Sequence, residues 1–276
     1  MKPKEVSPHK LSMFKHCPKQ YYFEYLDPEM AKIKKLIKKK RPALEMGNFI
    51  HDTLTLFFKE PPENRNWKKM VSILKEQWKG PRGKSFGFKD IEEERDYYEQ
   101  SLKMLSWFIK NENINPSIFS LPFSPPGKSF DDYIKIAFSD DLELGGKIDR
   151  LDMAPDGTLE VIDYKTGKPE KNFLQLLTYV FLAEKIYGKP VSKAENIYLK
   201  SMSHDAIAPT DDLKQQARLE ILDIVDKIGL EKGWAPFVSK LCLYCDYLDY
   251  CPAKPEVTKL YGEQINEPDK DNTLGI

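Results

Sequence analysis

Apolar positions recur at helical spacing through the first hundred residues and then switch to alternation. Ser7-Pro8 has the form of an N-cap followed by proline at the first helical position. Leu11, Phe14, Tyr21, Tyr22 and Tyr25 follow on one helical face, and Asp27-Pro28 is expected to end that helix. Ile50, Leu54, Phe57 and Phe58 mark a second helix over 47–58, which Pro61-Pro62 breaks. Residues 63–112 read as two or three helices separated by Gly80-Pro81-Arg82-Gly83, with Trp67, Trp78 and Trp107 expected as packing residues. After Pro116 the period changes. Strands are predicted over 117–123, 133–138, 142–154 and 158–165, then a helix over 172–187, a strand over 194–202 and a helix over 210–228. This order predicts an α/β fold with a mixed central sheet flanked by helices and a helical insertion over 60–116. The last fifteen or so residues are polar and are expected to be poorly ordered.

The alternating stretch Gly145 to Gly167, GGKIDRLDMAPDGTLEVIDYKTG, holds charge where a buried hairpin should be apolar. A three-residue loop Pro155-Asp156-Gly157, with glycine in the left-handed position, sets Ala154 opposite Thr158 and Asp149 opposite Asp163. Lys165 then shares the face of Asp163. A two-residue loop Asp156-Gly157 would turn Asp163 to the other face. Two carboxylates about 4 Å apart repel by roughly 4 kcal/mol at an effective dielectric near 20, and a divalent cation removes that repulsion. Hard oxygen ligands suit Mg²⁺ or Mn²⁺, which lower the pKa of a bound water and stabilise charge on a phosphate. Lys165 can position or deprotonate that water, or neutralise developing charge. The competing reading is an exposed hairpin with an ordinary ion pair.

Composition narrows the classes. The chain has 276 residues, 41% apolar and 31% charged, enough for a buried core and too polar for a membrane protein. No stretch approaches the roughly 18 uninterrupted apolar residues of a spanning helix. The N-terminal MKPKEVSPHKLSMFKHC lacks an apolar signal core, so the expected compartment is the cytoplasm. The net charge of zero conceals 12 Lys/Arg against 4 Asp/Glu in residues 1–41. Within that arm Lys34, Lys35, Lys38, Lys39, Lys40 and Arg41 are candidates for phosphate contacts, against the plainer reading of a solvated helix face.

All four cysteines form one pattern: Cys17 far upstream, then Cys242-x2-Cys245-x5-Cys251-Pro252. In a cytosolic chain such a group argues for metal, clasping the two ends of the chain together. Four thiolates suit zinc or an iron–sulfur cluster, and spacing alone does not choose.

Gly-x-Ile-Asp-Arg followed by Ile-Asp-Tyr-Lys-Thr-Gly resembles motifs of the PD-(D/E)XK nuclease superfamily, in particular its RecB-like branch. Gly47-Asn48-Phe49-Ile50-His51 resembles that branch's Gly-x-x-x-His helix, and Gln175-Leu176-Leu177-Thr178-Tyr179 its Gln-x-x-x-Tyr helix. Ser12-x4-Cys17-Pro18-x2-Tyr21 resembles its N-terminal segment. The resemblance runs from residue 7 to 252 and leaves 60–130 unmatched. It implies a restriction-endonuclease-like core and a single nuclease domain over 1–276. Within it, residues 7–59 are N-terminal helices, 60–116 the insertion, 117–203 the sheet core, 204–252 the last helix and cysteine loop, and 253–276 a tail.

The resemblance further implies Asp149 and Asp163 as metal ligands with the Tyr164 main-chain carbonyl and His51, Lys165 as the catalytic lysine, and Gln175 and Tyr179 beside the site. Cys17, Cys242, Cys245 and Cys251 would hold a [4Fe-4S] cluster, as in AddB-type and CRISPR-associated RecB-like nucleases, with zinc the alternative. The implied activity is Mg²⁺- or Mn²⁺-dependent DNA exonuclease, on single strands or duplex ends. Tyr21, Tyr22 and Tyr179 could stack bases, core packing being the simpler role. A non-cleaving scaffold subunit of a helicase or spacer-acquisition complex and a zinc-stabilised endonuclease are the alternatives. No Gly-x4-Gly-Lys-Ser/Thr loop occurs, so a helicase would be a separate partner.

Overall fold

Prolines at first helical positions cut the N-terminal arm into short helices. The computed structural model describes residues 2–122, 133–169 and 172–262. Helix α1 (Pro8–His16) is capped by Ser7, whose hydroxyl accepts from the Lys10 N–H. Pro18 has no N–H with which to continue it, so the chain breaks at Cys17 and restarts as α2 (Pro18–Tyr25). The single helix expected up to Asp27 is therefore two. Asp27 caps α3 (Pro28–Ile37), which buries none of its residues. Helix α4 (Pro42–Lys59) opens at Pro42 rather than Gly47.

The insertion consists of α5 (Trp67–Trp78) and α6 (Ile91–Asn111), packed on α4 through Ile50, Phe57, Leu74 and Phe108. Trp78 is buried there and Trp107 partly buried, but Trp67 is 40% exposed, so it is no core residue. It stands at the first residue of α5.

The strands are β1 (Glu5–Val6), β2 (Ile118–Ser120), β3 (Ile134–Ser139), β4 (Leu142–Gly146), β5 (Arg150–Met153), β6 (Leu159–Lys165), β7 (Val191–Tyr198) and β8 (Ser203–Ile207). They form two mixed sheets, ordered β1-β4-β3 and β2-β5-β6-β7-β8. The strand expected over 142–154 is thus divided, and the chain passes from one sheet to the other at 147–149. Helix α7 (Leu174–Tyr187) supplies the crossover that the parallel β6–β7 pair requires. It packs against both sheets, which is why it is apolar nearly all round. Its close approach needs Gly146, where a Cβ would lie 2.9 Å from the Tyr179 ring.

Helix α8 (Asp211–Leu230) follows, then short 3-10 turns at Lys240–Tyr244 and Leu248–Tyr250 and a final helix α9 (Lys254–Tyr261). The expected tail over 253–276 thus begins as α9, with Val257 buried, while residues 263–276 and Phe123, the end of an expected strand, lie outside the described residues. Among those residues no helix is long and apolar enough to cross a membrane.

Candidate active site

The β5–β6 hairpin fixes the geometry. Arg150 pairs with Ile162 and Met153 with Leu159, the register of the three-residue loop. The loop closes through the Gly157 N–H to the Ala154 carbonyl, and Gly157 takes φ +84, the left-handed region glycine favours. Continued past the first residue of β5, this register sets Asp149 against the end of β6. There Asp149 Oδ2 accepts the Tyr164 N–H at 2.9 Å. Helix α4 brings His51, whose Nδ1 lies 3.1 Å from the same oxygen. Gly47, one turn earlier, leaves room for Thr166, whose Oγ1 would stand 3.0 Å from an added Cβ.

On β6, Asp163 is buried and its Oδ2 lies 2.8 Å from Lys165 Nζ. Lys165 donates to Gln175 Oε1 at 2.5 Å, and Gln175 Nε2 donates to the Tyr179 hydroxyl at 2.8 Å. Gln175 and Tyr179 sit one turn apart on α7, so the relay runs along a single helix face. Six nominated residues therefore come together: His51, Asp149, Asp163, Lys165, Gln175 and Tyr179.

Two carboxylates in one buried place titrate apart. Burial pushes the Asp163 carboxyl up; Lys165 opposes this, the Asp149 charge adds to it, and the net is a raised pKa. Burial also pushes Asp149 up, but His51 and the Tyr164 N–H outweigh it and hold Asp149 low. Burial favours the neutral forms of His51 and Lys165, yet the aspartates raise both.

Arg150 is a residue the sequence did not single out. It is 5% exposed, donates to the Tyr164 hydroxyl at 2.7 Å, pairs with Asp152 at 3.0 Å and lies over the Phe58 ring. It clamps the side chain of the residue whose carbonyl is a candidate ligand. The available signal was a charge on an inward position of an apolar strand.

As the side chains stand, no three His, Cys, Asp or Glu groups among the described residues converge tightly enough to hold a metal ion. Asp149 is turned to His51 and Asp163 to Lys165. Asp163 Oδ2 is nevertheless buried without a well-directed hydrogen bond among the described residues. Two carboxylates, an imidazole and a main-chain carbonyl fit a hard divalent cation in kind. The side chains must turn from their present partners to grip one.

The four cysteines also meet. All are free and partly buried. Burial, with smaller contributions from Cys17, Cys242 and Cys251, pushes the Cys245 thiol up to about 12, and Cys251 shifts the same way. The Phe237 and Ser239 N–H groups each reach a sulfur at 3.5 Å, of Cys17 and Cys242 respectively. The Tyr247 and Ala253 N–H groups serve Cys245 and Cys251. Each sulfur so has a backbone donor, which at Cys245 and Cys251 offsets burial only in part. The donor set fits a thiolate-held metal in kind, although no three sulfurs stand close enough for one ion.

The basic arm is largely engaged within the molecule. Lys34 and Lys38 pair with Glu24, and Lys40 with Glu45. Arg41 donates to the Tyr244 carbonyl and to Asp246, which also accepts the Lys39 N–H. Lys35, Lys39 and their neighbour Leu36 are exposed. Tyr21 is buried, stacked on Trp234, and Tyr22 packs on the same indole.

Known proteins resemble this chain over most of its length. The family model of the PD-(D/E)XK nuclease superfamily matches residues 5–252. One subunit of the ATP-dependent helicase/deoxyribonuclease of Clostridium tetani (strain Massachusetts / E88) is 26% identical over 201 residues. That match covers 63% of this chain and 17% of the relative. The crystal structure of SSO0001 is 15% identical with a TM-score of 0.42, covering 92% of this chain and 88% of the other.

Proposed function

This chain belongs to the PD-(D/E)XK nuclease superfamily, and from that membership we propose that it is a metal-dependent deoxyribonuclease, acting as an exonuclease on single-stranded DNA or duplex ends. The observation that carries the reading is the meeting of Asp149, Asp163 and Lys165 at the end of one buried hairpin, with Gln175 holding the lysine.

Asp149, Asp163, His51 and the Tyr164 carbonyl are the groups that would hold Mg²⁺ or Mn²⁺. When bound, the ion supplies a water of lowered pKa and neutralises charge at the scissile phosphate. Lys165, whose pKa the aspartates raise, would stabilise negative charge on the phosphate or position the attacking water. Gln175 aims the ammonium, and Tyr179 fixes Gln175. Exposed Lys35 and Lys39 are the members of the basic arm left to meet phosphates.

Cys17, Cys242, Cys245 and Cys251 would hold a [4Fe-4S] cluster as a structural clasp, with zinc the competing metal. The reading extends to a single cytoplasmic nuclease domain over 1–276 that works in DNA repair, recombination or CRISPR-type processing. A helicase partner is proposed because the Clostridium tetani relative is named as part of a helicase/deoxyribonuclease and no phosphate-binding Gly-x4-Gly-Lys-Ser/Thr loop occurs here. The intact Asp/Asp/Lys set favours an enzyme over a non-cleaving scaffold.

The experiment is digestion of end-labelled single- and double-stranded DNA with Mg²⁺ or Mn²⁺, alongside iron and zinc analysis. Stepwise shortening from an end, abolished by chelator and by Asp163→Ala, is the expected result. No cleavage by metal-loaded protein, or equal cleavage by Asp163→Ala, overturns the reading.

A further inference from the structure

The helical insertion carries an aromatic groove that the proposed reaction does not use. Leu102, Lys103, Trp107 and Lys110 line it from one face of α6, facing Trp67 at the start of α5 and Met202 in the β7–β8 turn. The groove is open and encloses about 470 Å³. Trp67 is 40% and Met202 49% exposed. Met202 takes φ +55 in the β7–β8 turn.

The charge lining the groove is of one sign. Lys103 and Lys110 have no ion-pair partner among the described residues, unlike Lys34, Lys38 and Lys40 of the N-terminal arm. Its position relative to Lys165 follows from strand register. Lys165 pairs with Tyr198 on β7, and Tyr198 with Ser203 on β8, beside Met202. Two strand spacings, roughly 10 Å, separate the backbones of Lys165 and Ser203. The insertion lies on the sheet face of Ile162 and Tyr164, so a DNA strand reaching the groove rounds the sheet end from the face of Lys165. The Leu199 N–H bonds the Lys165 carbonyl, so the β7–β8 turn carrying Met202 begins beside the end of β6.

We propose that this groove binds the DNA strand a few nucleotides from the phosphate held at Asp149 and Asp163. Trp67 and Trp107 stack bases, which needs no particular sequence because every base offers a π-face. Lys103 and Lys110 meet the phosphates between them. The identity of the polymer rests on the nuclease reading; the groove itself stands on its two indoles and on two lysines without an ion-pair partner among the described residues.

Binding of a fluorescent oligo-dT by the full chain in EDTA tests this without requiring cleavage. Trp67→Ala is expected to weaken binding about tenfold. Lys103→Gln/Lys110→Gln is expected to reduce the slope of log affinity against log salt by about 1.4. Circular-dichroism melts matching the parent establish that both variants fold. Parent-like affinity and slope in both overturn the proposal. Loss of self-association in sedimentation with oligonucleotide affinity unchanged would assign the groove to a second copy of the chain and also overturn it. A parent that binds through these residues yet cleaves nothing with Mg²⁺ or Mn²⁺ supports the groove while removing the nuclease reading.

Discussion

Lys165 holds its place through two contacts, an ionic one to Asp163 and a hydrogen bond to Gln175, and only the second can be removed without touching a candidate metal ligand. Gln175→Leu should therefore lower kcat roughly ten- to a hundredfold while leaving KM for DNA nearly unchanged, as expected for a group that aims another in the transition state. Steady-state kinetics separate the two; a rise in KM alone would make Gln175 a substrate contact. Gly146 is a residue of space rather than chemistry. A methyl there would meet the Tyr179 ring at 2.9 Å and Leu182 at 3.0 Å. Gly146→Ala should cost about 1–3 kcal/mol by overpacking, read as a lower urea midpoint. Asp149, Asp163 and Lys165 were legible in the sequence because a period of two and one glycine turn fix which side chains share a face. Arg150 was not, since its partners Tyr164 and Asp152 come into reach only once two strands pair.

Among the elements, α6 of the insertion is tied to the end of α5 and the loop after it by a buried carboxylate. Glu94 on α6 is 3% exposed and accepts from Trp78 Nε1 and from the Arg82 and Gly83 N–H groups. Burial pushes its carboxyl up, but those three donors outweigh burial and hold its pKa below the ordinary 4.5. A depressed folded-state pKa gives stability that is present above 4.5 and lost as pH falls through the folded value. Glu94→Gln should flatten the acid limb of the stability curve, measured by melting temperature from pH 6 down to 3. Glu94→Ala should cost about 3 kcal/mol by stranding buried donors. An unchanged acid limb in Glu94→Gln would show that other carboxylates govern it.

Long periodic elements such as α4, α7 and α8 were legible, as was the hairpin. The split of 142–154 between two sheets was only faintly written: in LELGGKIDRLDM the apolar positions change phase across Asp149-Arg150, after the paired glycines, which one straight strand does not explain. The short edge strand β8, reading SHDAI, has too few apolar positions to register a period. The break at Cys17-Pro18 was written in the sequence, since proline interrupts a helix when it falls beyond the first turn.

Across the whole molecule the cysteine loop and the N-terminal helices are one unit. Tyr247 is buried against Phe23 and donates to Glu24, while Arg41, the N-cap of α4, bonds Tyr244 and Asp246. The loop is thereby tied to the helix that carries His51. Cys17→Ala should loosen both ends together: hydrogen exchange would rise in α1, α2 and 240–252 in step, with a lowered melting temperature. Exchange confined to residues after 235 would contradict a clasp. The central claim is that Asp149 and Asp163 together grip one divalent cation. Mn²⁺ titrated into the full chain, with free ion followed by electron paramagnetic resonance, tests it most directly. One site per chain that is lost in Asp163→Asn is the predicted result, thiolates being poor ligands for so hard an ion. Equal binding by Asp163→Asn and the parent would contradict it.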